Sequence, residues 1–100
     1  MASDLERLLR EHLAAPYPNG VKVPDADLEM LEADVASLAG SYRDRGHLTV
    51  EQSEILRSCA QELRRIEANL PQSSQHYFRR LIALADALIV EAPVHGSSVL

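Results

Sequence analysis

Leu56, Cys59, Leu63, Ile66 and Leu70 follow one another at intervals of three, four, three and four residues, and Leu28, Leu31, Val35, Leu38 and Tyr42 repeat the same rhythm upstream. Intervals of three and four return side chains to one face of an α-helix, whereas a half-buried strand alternates every second residue. No such alternation occurs in this chain. The sequence is therefore expected to fold as helices that bury narrow apolar stripes against one another, an all-α architecture.

Local signals divide the chain into four predicted helices. Ser3-Asp4-Leu5-Glu6 forms an S-x-x-E capping box, and Leu5, Leu8, Leu9 and Leu13 carry a short helix over residues 4–14. Residues 15–24 hold three prolines and an Asn19-Gly20 pair, and read as a loop that packs through Tyr17. A second helix is predicted from Pro24-Asp25, where proline suits the first turn and Asp25, Asp27 and Glu29 complement the positive end of the dipole. It ends near residue 45, where Arg43 and Arg45 precede Gly46. Thr49-Val50-Glu51-Gln52 is another capping box and opens a third helix that reaches Leu70 before Pro71. The fourth spans residues 75–91, with Ser73 or Ser74 as its cap and Pro93 as its limit. Short connections favour antiparallel neighbours, so the expected fold is an up-down antiparallel bundle of three long helices plus a short N-terminal helix. Residues 1–92 form one domain, and 93–100, which lack any period, form a flexible tail unless they dock.

The fourth helix differs from the others. Tyr77, Phe78, Leu81, Ile82, Leu84, Ala85, Leu88 and Ile89 cover more than a stripe, so this helix is either the centre of the bundle or a surface for a second chain. Tyr77, Leu81, Leu84 and Leu88 are the self-association candidates, and the chain is expected to form a homo-oligomer.

Charge narrows the partners. Fifteen Asp and Glu against ten Lys and Arg leave a net charge of -5, which disfavours the broad phosphate contact of a general nucleic-acid binder. Asp27, Glu29, Glu32 and Asp34 crowd the start of the second helix, and such an acidic face can dock on a basic protein, as small toxin-neutralising inhibitors do. Near the other end, reflection about the turn at 71–74 sets Arg64 and Arg65 level with Arg79 and Arg80, a candidate anion site for phosphate or carboxylate.

Signals for chemistry are sparse. Cys59 is the single cysteine, so one chain builds neither a disulfide nor a thiolate metal cluster, and on an apolar seam its thiol should be inert. His12, His47, His76 and His95 fall in different segments with no E-x-x-H spacing, so neither a metal site nor a cofactor is expected. His76 invites comparison with helical phosphotransfer modules. The following Tyr77-Phe78-Arg79-Arg80 departs from the Lys-Gly pair those modules place after the histidine, so His76 reads as a first-turn surface side chain. No nucleophile elbow or glycine-rich phosphate loop is present. Ser98-Val99-Leu100 formally resembles a ligand for carboxylate-capturing domains, but it reads as tail. Acids near the start and the lack of a long apolar run predict a cytoplasmic protein without a membrane span. The expectation is a non-enzymatic helical interaction module that self-associates and binds one protein partner, with an immunity- or antitoxin-like inhibitor as one form. The alternative is an anion- or phosphoryl-handling bundle built on the four arginines.

Overall fold

The computed structural model describes residues 4–18, 23 and 26–95. Among these residues the chain is an all-α bundle of four helices, α1 (Asp4–Ala14), α2 (Leu28–Arg45), α3 (Val50–Ile66) and α4 (Gln72–Glu91). Two-residue strands, β1 (Leu48–Thr49) and β2 (Val94–His95), add one short parallel pairing. No described helix is long and apolar enough to cross a membrane. The expected Ser3 cap, the Asn19-Gly20 turn and tail residues 96–100 lie outside the described residues.

Capping chemistry sets the helix limits. The second helix begins at Leu28 rather than near Pro24-Asp25, because Asp27 stays extended and its carboxylate accepts from the Met30 backbone N–H at 3.1 Å. Its far end is closed by Gly46, whose φ of 80° lies in the left-handed region and whose N–H donates to the Tyr42 carbonyl at 2.7 Å. Thr49 and Gln52 form the reciprocal box at the start of α3, with bonds of 3.0 and 3.1 Å. The α-helix stops at Ile66, and Glu67–Asn69 tighten into a 3-10 turn. Leu70 then turns extended at ψ 140°, as the residue before a proline must.

The fourth helix starts earlier than expected, at Gln72. Neither Ser73 nor Ser74 caps it, since Pro71 occupies the cap position and the fully buried Ser74 hydroxyl donates to the Pro71 carbonyl at 2.9 Å. The Gln75 side-chain amide meets the Leu70 carbonyl at 3.2 Å and secures the same corner.

Helix α4 is the central element, packed against α1, α2 and α3. Phe78, Leu81, Leu84, Ala85 and Leu88 are fully enclosed, and Leu56, Leu63 and Ile66 of α3 and Val35 of α2 meet them in one core. This corrects the self-association reading of the fourth helix. Tyr77, Leu81, Leu84 and Leu88 are consumed inside the chain, because three helices surround a face too wide for any one of them to cover. The α3 seam is buried throughout, Cys59 included.

Beyond α4, the Leu48 N–H donates to the Pro93 carbonyl at 2.9 Å, and Leu48 and Thr49 pair with Val94 and His95. The rings of His47 and His95 stack at 4.5 Å. The chain after Pro93 therefore docks on the α2–α3 connection through His95.

Candidate functional site

The four acidic candidates do not form one face. Asp27 caps α2, Glu29 is exposed, Glu32 turns inward to α1, and Asp34 borders a groove between α2 and α3. Three residues of helix return a side chain to within about 60° of the first, whereas five leave it about 140° away, so Asp34 points away from Glu29 while Glu32 stays near the side of Glu29.

Glu32 anchors a buried polar knot. Its carboxylate lies 2.9 Å from Nε2 of His12, a residue only 2% exposed. A carboxylate only accepts, so Nε2 is the donor of this bond, and Nδ1 is buried without a hydrogen-bond partner among the described residues. Tyr77 packs against the His12 ring at 5.1 Å, and Tyr17 meets Tyr77 edge-on at 5.6 Å. Burial first, and then the adjacent Glu32 carboxylate, push the Tyr77 phenol up to about 12. The Tyr17 phenol is also raised, by burial and then by Glu29, Glu32 and Asp27. Tyr17 Oη and Arg80 Nε are likewise buried without a hydrogen-bond partner among the described residues. His12 at this depth meets no solute, so the knot joins α1 to α2 rather than presenting an acid or base. Sequence reading missed it, although His12 shares the inward stripe of Leu5 and Leu9, three residues beyond the latter.

The arginine candidates are largely occupied by carboxylates. Arg64 pairs with Asp86 across α3 and α4, and Arg79 Nε donates to Glu67 at 3.0 Å. Arg65 Nε donates to Glu62 at 2.9 Å, and that bond holds the Glu62 carboxyl below its usual range. The half-buried Arg80 lies close enough to Tyr77 to oppose the rise of its phenol. Each of the three exposed guanidiniums thus holds a carboxylate instead of converging on an external anion.

Another groove lies on the far side of α1. Helix α1 packs along α4 but makes no comparable packing against α2. A groove of about 720 Å³ remains between α1 and the C-terminal half of α2. Leu5, Leu9 and Leu13 line its α1 wall, Ala39 and Tyr42 its α2 wall, and the exposed Glu6, Arg10, Arg43 and Glu91 its edges. Leu13 is 61% exposed there. No motif announces the groove in the sequence, since its walls come from two helices joined by a long connection.

The smaller groove between α2 and α3, about 520 Å³, has Cys59 beside Asp34, Glu62 and Arg65. Burial, and then the Asp34 charge, push the Cys59 thiol up, which disfavours the nucleophilic thiolate. Among the described residues no group of three or more His, Cys, Asp or Glu is placed to hold a metal ion. Comparison with protein-family models, curated proteins and solved structures finds no match to this chain.

Proposed function

We propose that this chain is a non-enzymatic helical interaction module that receives a protein partner in the groove between α1 and α2. The observation that carries the reading is the groove itself, an apolar channel of about 720 Å³ with charged edges and a largely exposed leucine on its wall. Apolar surface arranged between two helices with polar margins is how interaction modules offer a helix or ridge its place. The inhibitor form draws less support, because its acidic residues are divided among a cap, a buried tie and two directions of α2. The anion-handling alternative is weakened by the carboxylates already on Arg64, Arg65 and Arg79.

The test is capture of partners from source-cell lysate on tagged wild-type chain and on Leu13→Glu, with bound proteins identified by mass spectrometry. A stoichiometric partner on the wild-type chain should fall by at least about tenfold on the variant, since a charge would enter the apolar wall. Equal retention by both chains would remove the groove from the function.

A further inference from the structure

We propose that the stacked rings of His47 and His95 form a proton-operated latch, which holds residues 93–95 on the α2–α3 connection and releases them in mild acid. Little else holds that segment. Val94 and His95 are both exposed, so their docking buries little side-chain surface. What remains is a two-residue parallel ladder with Leu48 and Thr49, the bond from the Leu48 N–H to the Pro93 carbonyl, and the ring stack, with centroids 4.5 Å apart and planes 17° from parallel. A segment held by so few contacts opens locally without disturbing the core, and a change of charge at the stack is enough to decide its position.

The two rings differ in their support. His47 Nδ1 lies 3.3 Å from the Arg45 carbonyl, which only accepts, so Nδ1 is the donor and the bond persists when the ring gains a second hydrogen. His47 also follows the C-terminal end of α2, whose partial negative charge suits a cation. One proton is therefore accommodated at His47, and the second falls on His95. The charged side chains on the surrounding elements are Arg43, Asp44 and Arg45 at the end of α2, Glu51 and Glu54 at the start of α3, and Glu91 at the end of α4. Asp44 is engaged with Arg43 at 3.6 Å, and among the described residues neither of these imidazoles is ion-paired with a carboxylate. Two cationic rings stacked face to face repel, and histidine is the side chain that gains its charge between about pH 8 and about pH 5. Apart, the rings charge independently. The released form thus binds more protons in acid, and each extra proton favours it by up to about tenfold per pH unit. Release leaves the Leu48 N–H without its acceptor and opens the edge of β1 beside the start of α3.

The test is amide hydrogen exchange of the full-length chain, followed residue by residue by NMR at about pH 7.5 and about pH 5 and corrected for the intrinsic pH dependence of exchange. The Leu48 amide, bonded to Pro93, reports the latch, and the amides of Leu84 and Leu88 report the core. Protection at Leu48 should fall by at least about tenfold in acid while the α4 amides stay protected. His95→Phe and His47→Phe each keep a ring to stack but remove one of the two charges, so in either variant the protection at Leu48 should change by less than about twofold. A Leu48 amide unprotected at the higher pH, or equally protected at both, would overturn the latch. So would an acid loss that either phenylalanine variant shares with the wild-type chain, since carboxylates such as Glu51 or Glu91 would then be its source. Loss of α4 protection at the same pH would make the transition global and end the inference as well.

Discussion

The α3–α4 hairpin and the α1–α2 edge are built from similar helices and end in opposite states. Residues 67–71 turn α3 directly into α4, and the two seams close over fully buried side chains with Arg64–Asp86 and Arg79–Glu67 laid across the outside. Residues 15–27 separate α1 from α2, which meet through the His12–Glu32 contact and leave a groove beside it. A short connection forces registry and continuous contact, while a long one lets each helix choose its own neighbour. Helix α1 chooses α4. A groove with an exposed leucine on its wall is thus found where the connection is long.

The sharpest way to break that comparison is to truncate one leucine on each side. Leu84→Ala, in the closed core, should lower stability by about 2–5 kcal/mol. Leu13→Ala, on the groove, should change it by no more than about 0.5 kcal/mol in urea unfolding at monomeric concentration. Similar losses at both positions would mean that the edge is as closed as the hairpin.

A smaller effect should appear at the polar knot in alkali. Because folding raises the Tyr77 phenol from its ordinary 10.0 to about 12, the folded chain keeps a proton that the unfolded chain has released. Stability present below about pH 10 should therefore fall as the pH rises toward about 12, by on the order of 1–3 kcal/mol. Tyr77→Phe should remove most of that alkaline loss. An identical pH profile for the variant would show that the buried phenol does not govern it.

The smallest effect is expected on the outside of the hairpin. Arg79→Ala breaks an exposed pair with Glu67 and should cost no more than about 1 kcal/mol, diminishing with added salt. A larger loss that persists in salt would mean that the pair, rather than the apolar seam, holds the hairpin closed.

Much of this architecture was legible because it is local. The Thr49–Gln52 box needs four consecutive residues, and the α3 stripe needs only its own spacing, so both are present in the folded chain as read. The start of α2 was misplaced because several acids compete for the same cap, and only backbone geometry shows that Asp27 takes it. Ser74 looked like a cap by type, yet Pro71 already holds that position and the serine hydroxyl bonds back to it. For the arginine candidates, pairing with Asp86 and Glu67 depends on side-chain rotation that spacing does not encode.

By itself the sequence determined an all-α bundle of four helices, most of their limits, and the stripes each would bury. Those properties follow from helical periodicity and from capping groups a few residues away. Only the tertiary structure decided that the wide face of α4 would be spent inside the chain, that His12 would find Glu32, that Val94 and His95 would dock beside β1, and that α1 would leave a groove along α2. Each of these is a choice between surfaces remote in sequence. Apolar burial is non-directional and does not specify its partner, so that choice is made by how the helices fit together.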